Sequence, residues 1–245
     1  MESVFDLFET LKTTRKTEFN QKKISEGEMD KIKDAIFKTS NASNRQSYSI
    51  IELDTPAKEK LNFKGDRVLI YCIDFYRLKR CADKLNKEFN SQYFMQFTTA
   101  LIDISLLVQS TVLTAQSLGI QTLITNEVYH KKIDAIFEHL ELPENYVFPM
   151  IAVCMGYTDV DKPTKGRLQD HIFYKSRYID YTDEDIDKII QTSDSVDMNI
   201  GLIKNWKEKG YNHYYEWFFD KWSKGIGTEE ESEKLVAELI KHKMI

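Results

Sequence analysis

Four short polar stretches hold the residue types that can do chemistry in this 245-residue chain. In the first, Thr13-Thr14-Arg15-Lys16-Thr17, two cations are interleaved with three hydroxyls, all of them able to donate to phosphate oxygens. The second, Ser40-Asn41-Ala42-Ser43-Asn44-Arg45-Gln46, is dense in hydroxyls and amides of the kind that read the polar edge of a heterocycle. The third is Thr125-Asn126-Glu127, whose backbone N–H groups could donate to a ring nitrogen or a developing anion. In the fourth, Lys165-Gly166-Arg167, two cations project to the same side of an extended segment and could grip one phosphate. Each stretch also has a plainer reading. Cations at a helix end complement the macrodipole, Ser/Asn-rich runs are ordinary connections, and basic pairs are common on surfaces.

Other chemistries find no support. The chain has no GxSxG, HExxH, Walker or GxGxxG pattern, so the usual hydrolase, zincin and nucleotide readings lose their basis. Its five histidines (130, 139, 171, 213 and 242) show no metal-ligand spacing and read as surface residues, so no metal is expected. The three cysteines form neither a CxxC pair nor a disulfide framework. Cys72 and Cys154 lie within apolar strand-like runs and read as small hydrophobes. With 34 basic against 39 acidic residues, the net charge of −5 gives no footprint for nucleic acid. Glu2, Ser3, Val4 and Phe5 lack the basic opening of a signal peptide, and the cytoplasm is the expected compartment.

The elements that must position these stretches follow from periodicity. Val4, Phe5, Leu7, Phe8 and Leu11 predict a first helix over 3–14. Ser25 and Glu28 form a capping box for a second, with Met29, Ile32, Ile36 and Phe37 as its stripe. Residues 48–53 and 67–73 read as strands. The most apolar segment, 93–118, predicts a central core helix ended by Gly119. A short strand or turn at 122–126, a helix over 130–139 and a strand at 149–155 follow. Beyond residue 180, Thr182 and Thr228 open two further helices, and all three tryptophans (206, 217 and 222) fall between them. The pattern is α+β, with a domain over 1–180 and a helical extension over 181–245.

In order along the chain, these stretches resemble the motifs of the nitroreductase family. Leu11 to Phe19 is similar to that family's basic opening motif ending in an aromatic residue. It fits in two registers: aligned on Phe19, Arg15 takes the family's Ser position; shifted by two, Arg15-Lys16-Thr17 matches Arg-Arg-Ser. Ser40 to Tyr48 resembles the family's Pro-Ser-Ser-x-Asn-x-Gln-Pro-Trp loop, with Ser47-Tyr48 in place of Pro-Trp. Leu118-Gly119-Ile120 matches the turn after the central helix, and Pro149 to Tyr157 the strand ending in Gly-Tyr. Lys165-Gly166-Arg167-Leu168 resembles the Lys-Ser-Arg phosphate grip. Asn126-Glu127 stands where the family has an acidic-Gly pair. The resemblance covers residues 3–178.

It implies a mostly antiparallel sheet flanked by helices, and a homodimer with flavin mononucleotide (FMN) at the subunit interface. Arg15, Lys16, Thr17, Lys165 and Arg167 would surround the phosphate. Ser40, Asn41, Ala42, Asn44 and Gln46 would come from the other protomer, Thr125 and Asn126 would face the flavin N5 side, and Asn62 is a candidate ring contact. The implied activity is ping-pong: NADH or NADPH reduces FMN, then a nitroarene, quinone or enone takes the electrons. No side chain is assigned as acid or base. A non-catalytic flavin-binding or sensor module of the same fold is the alternative. The aromatic extension reads as a dimer arm, or as a lid with Trp217, Phe218 and Trp222 toward the flavin.

Overall fold

The segment Arg67–Asp74 is apolar along nearly its whole length, and a strand that is greasy on both faces belongs inside a sheet. A computed structural model describes residues 4–90, 93–161, 166–169, 172–195, 206–225 and 227–245, and places it there. Four antiparallel strands run in the spatial order β1 (Tyr48–Glu52), β2 (Arg67–Asp74), β4 (Val147–Gly156) and β3 (Gln121–Thr125). The edges are therefore β1 and β3. Leu69, Tyr71 and Ile73 of β2 enter one hydrophobic layer, while Val68, Ile70 and Cys72 enter the other. β4 changes parity along its length: Phe148 and Met150, then Val153 and Met155, enter the first layer. The register against β2 shifts between Tyr71 and Cys72, leaving Met150 as the extra residue of a bulge. Pro149, which cannot donate to a ladder, sits beside it.

The first layer is covered by α5 (Phe94–Ser117) and α2 (Glu26–Lys38). Phe97, Ala100, Ile104, Leu107, Val108 and Ala115 of α5 are buried with Met29, Ile32 and Ile36 of α2. The Tyr71 hydroxyl meets Thr111 Oγ1 at 2.6 Å, and Thr111 in turn donates to the Leu107 carbonyl, so no polar atom of that buried pair is left over. Gly119 ends α5 with φ +72°, as expected. By length and composition α5 alone among the described helices would cross a membrane, yet one face of it is committed to the sheet. The second layer holds Ala57 of α3 (Thr55–Lys60), Leu61, Phe63, Val128 of α6 (Glu127–His130) and Ile136 of α7 (Ile133–His139).

Several expectations change in detail. The first helix, α1, spans only Val4–Thr10, because Thr13 and Thr14 are drawn into backbone pairing beside β3. Phe37 is 79% exposed: it follows Ile36 by one position and so falls off the buried stripe of α2. The helix over 130–139 is broken into α6 and α7 at Lys131 and Lys132, whose φ values near −130° are not helical. Helix α3 and helix α4 (Tyr76–Lys84) carry too few buried residues to show a period. His242 is buried rather than exposed, stacked 4.0 Å from the Phe137 ring with Nδ1 donating to the Glu144 carbonyl. Cys72 and Cys154 are buried in strands as expected, and burial pushes the Cys154 thiol up to about 11.

The chain divides into two compact units, Met1–Lys162 with Glu233–Ile245, and Pro163–Ser232, rather than at residue 180. The first regains the chain's end because Leu239 and Met244, near the C-terminus of α10 (Glu229–Lys241), belong to its core. In the second, Trp206 and Trp217 form their own small core with Tyr211, Tyr214, Phe218 and Trp222. Asp194 caps α8 (Asp183–Ser193) and accepts from His213 Nδ1 and from the Tyr214 N–H at the start of α9 (Tyr214–Trp217), both at 2.7 Å.

That hydrogen bond to Asp194 holds the His213 pKa above the ordinary 6.5. A raised histidine contributes stability that is complete below its unfolded value and lost as pH rises through the folded one. All three tryptophans lie in this unit, so tryptophan fluorescence of the full chain reads it selectively. The fluorescence melting midpoint is expected to fall as pH rises above the ordinary histidine value of 6.5. In a His213→Gln variant it should stay flat across that range.

Candidate functional site

Beyond α1 the chain runs as a strap between β3 and the residues after β4. Thr13 bridges Thr122 in parallel, and the Thr14 N–H donates to the Thr122 carbonyl at 3.2 Å. Further on, Phe19 bridges Thr158, and the Asn20 N–H donates to the Tyr157 carbonyl at 2.8 Å. Gly156 is required at the crossing, since a Cβ there would stand 2.8 Å from Phe19 Cδ1. The two motif ends, Phe19 and Gly156-Tyr157, thus pack directly on one another. Between the anchors, Glu18 Oε2 accepts the Arg15 N–H at 2.6 Å, and Thr17 is exposed. Tyr157 also donates to Glu28 Oε1 at 2.7 Å, which ties the strap's far end to the cap of α2.

This course brings Lys16 to the end of β3. Its Nζ lies 2.7 Å from both oxygens of Glu127, the first residue of α6, next to Thr125 and Asn126. Lys132 approaches the same carboxylate at 3.4 Å, rests 4.1 Å from the Phe63 ring centroid and reaches the Asn62 carbonyl at 3.3 Å. Burial pushes the Glu127 carboxyl up, but the bonds and charges of Lys16 and Lys132 outweigh it and hold the pKa below the usual range. Burial lowers Lys132 in spite of Glu127. Lys16 is therefore engaged with a carboxylate. Lys16 and Phe19 also line a cleft of about 280 Å³ together with Lys23, Lys58, Lys64 and Asp66.

The Ser40–Gln46 stretch lies elsewhere, leading into β1. Ala42–Asn44 form a 3₁₀ turn, and Ser43, Asn44 and Gln46 have φ of 53°, 52° and 50°. Three left-handed residues in four positions, none of them glycine, need support from outside the loop. They get it from α5 and α4. Buried Asp103 Oδ1 accepts the Ala42 N–H at 2.9 Å, Arg45 Nη1 donates to Gln96 Oε1 at 2.8 Å, and Arg77 donates to the Gln46 carbonyl. Within the loop, Asn41 Oδ1 accepts the Gln46 N–H at 3.4 Å and the Gln46 amide donates to Asn44 at 3.0 Å. Ser40, Asn44 and Gln46 remain exposed, while Asn41 and Ala42 are half-buried.

The structure thus gathers Arg15, Lys16, Thr17, Thr125 and Asn126 at the β3 edge, and Ser40, Asn41, Ala42, Asn44 and Gln46 at the β1 edge. With strands about 4.8 Å apart, three steps across the sheet put roughly 14 Å between the two edges. Lys165 lies outside the described residues. Arg167 is exposed in the second unit, with Nη1 donating to the Gly166 carbonyl at 2.9 Å. Asn62 is exposed in a left-handed turn at φ 51°. Asp103, Gln96, Arg77 and Lys132 were not singled out by the sequence. Only Asp103 left a signal, as the one charge inside the apolar run of α5.

No family model matches the chain. It is 26% identical over 191 residues to an NADPH-dependent oxidoreductase of Staphylococcus aureus strain USA300, covering 72% of this chain and 74% of that protein. The NfrA1 nitroreductase of B. subtilis superposes with a TM-score of 0.80 at 18% identity, over 96% of this chain and 98% of its own. The NADPH:FMN oxidoreductase of Vibrio harveyi, solved with NAD+, gives 0.78 at 18% identity, over 98% and 97%. A likeness that holds at so little identity, over nearly the full length of both chains, is one of architecture: this α+β chain has the nitroreductase fold.

Proposed function

We propose that the chain is an FMN-dependent oxidoreductase that draws hydride from NADH or NADPH and works as a homodimer with two interfacial sites. The observation that carries this reading is the ordered placement of the motif segments on the two edges of a sheet whose fold is shared with nitroreductases and an NADPH:FMN oxidoreductase. The donor set fits the cofactor. Arg15 with the exposed hydroxyls of Thr13 and Thr17 suits a dianionic phosphate, and the exposed amides of Asn44 and Gln46 suit a ring edged by carbonyls and nitrogens. When bound, FMN supplies the two-electron chemistry that links a nicotinamide to an electron-poor acceptor of the nitroarene, quinone or enone class.

The residues of the chain hold and orient. Arg15, with Lys165 and Arg167, would bind the phosphate. Thr125 and Asn126 would donate along one edge of the ring, and the Ser40–Gln46 loop of the partner protomer would cover the other. Glu127 holds Lys16 fixed beside that edge through both of its oxygens. A homodimer is supported by α5, whose outward side exposes Phe94, Met95, Ile102 and Leu106 in an apolar stripe. No side chain is needed as a proton donor in this scheme.

Three results are expected. The purified protein should be yellow, release about one FMN per chain, and be bleached by NADH or NADPH in stopped flow. A flavin that neither nicotinamide reduces would favour a binding module instead. Replacing Arg15, Lys165 and Arg167 together by Ala should weaken FMN binding at least a hundredfold, since charge-assisted hydrogen bonds contribute about 1.5–3 kcal/mol each. Undiminished occupancy would remove those residues from the site. Placing Asp at both Ile102 and Leu106 should shift the sedimentation velocity profile from dimer to monomer and release the flavin.

A further inference from the structure

We infer that Asp103 is the positioning residue of the flavin-facing loop: from the middle of α5 it holds Ala42 so that the left-handed turn after it presents Asn44 and Gln46. This rests on the proposed flavin reading for its consequence, though not for its geometry. Asp103 is 2% exposed, among the buried residues of α5 between Ala100 and Leu107. Its Oδ1 accepts the Ala42 N–H at 2.9 Å, across 61 residues of sequence. Its Oδ2 is buried without a hydrogen-bond partner among the described residues.

A buried carboxylate with one oxygen unsatisfied is a poor way to stabilise a helix, because an apolar residue of similar volume serves the core as well or better. What it does well is bind a backbone N–H strongly and at a fixed point. That point is where fixing is needed. Ala42 opens the 3₁₀ turn, and the next residues, Ser43 and Asn44, take left-handed φ values that non-glycine residues seldom adopt. The other supports, Gln96 on Arg45 and Arg77 on the Gln46 carbonyl, hold the loop's second half. Among the described hydrogen bonds of Ala42, Asp103 is the partner from outside the loop, while the Ala42 carbonyl accepts only from Arg45 within it. Releasing that end frees the turn that orients the exposed amides, while the core of α5 stays packed.

The test compares Asp103→Leu and Asp103→Asn in the full chain by three readouts: thermal midpoint, hydrogen exchange of the Ala42 amide in the flavin-free protein, and FMN affinity by quenching of flavin fluorescence. Asp103→Leu is expected to melt at or above the parent, to exchange the Ala42 amide at least tenfold faster, and to bind FMN at least tenfold more weakly. Asp103→Asn keeps an oxygen facing Ala42 and should restore slow exchange and bring FMN affinity to within about threefold of the parent. Parent-like exchange and FMN affinity in Asp103→Leu would overturn the proposal. So would a lowered melting point shared by both variants with a parallel loss of FMN, which is the mark of a purely structural residue. If the parent itself takes up no FMN, the flavin reading fails, and the exchange data alone still decide whether Asp103 holds the loop.

Discussion

A helix laid across a sheet has to turn a continuous apolar stripe toward it, and α5 does so with a carboxylate in the middle of the stripe. The arithmetic allows this. Full burial of a large apolar side chain contributes about 1.5–3 kcal/mol, and Phe97, Ile104, Leu107 and Val108 are all buried around Asp103. Together they outweigh the several kcal/mol that one partly compensated buried charge costs. The same helix carries Gln96, which holds Arg45, and its outer side carries the exposed apolar stripe. The inward face builds the core, one charge on it reaches a loop, and the outward face is left for a partner. If α5 shifted along the sheet, the layer, the loop and the outer stripe would all move together.

What could be read from residues alone follows the same division. Regular burial leaves a period, so β2, β4, α2 and α5 were visible in the alternation and the 3.6-residue spacing of their apolar residues. Local caps were visible too: Ser25 with Glu28 is a capping box in the structure, and Thr182 caps the helix it was expected to open. Short polar helices such as α3 leave no stripe, and its Asp54 cap lacks the companion acid that would mark it. The site was legible as residue types but not as pairings. Lys16 and Glu127 are 111 residues apart, and nothing local distinguishes a lysine that will meet a carboxylate from one that will meet a phosphate. The left-handed turn at Ser43 and Asn44 was hidden for a related reason: without glycine, its conformation is imposed by α5 and is not written in the loop.

The placement of both motif segments at sheet edges has a physical logic. An edge strand offers unpaired backbone groups and has to be shortened or covered. β1 has five residues and is entered by a loop that its neighbours pin. β3 also has five, and the strap at Thr13 and Thr14 pairs with its Thr122 from the outside. Covering an edge therefore carries the polar opening segment to the end of β3, and the crossing of Phe19 over Gly156 fixes where it stops.

Charge decides which cations of that strap an anion can recruit. Lys12 faces Asp161 at 2.8 Å, but that carboxylate is 96% exposed, and surface pairs of this kind contribute between about 0 and 1 kcal/mol. An arriving phosphate can displace it at little cost. Lys16 is different: both Glu127 oxygens hold it, both partners are half-buried, and Lys132 approaches the same carboxylate. Drawing Lys16 away would leave Glu127 with the more distant of its two cations, at 3.4 Å, in a half-buried place. In the proposed site, then, Lys16 is better suited to setting the charge beside the β3 end than to gripping a phosphate.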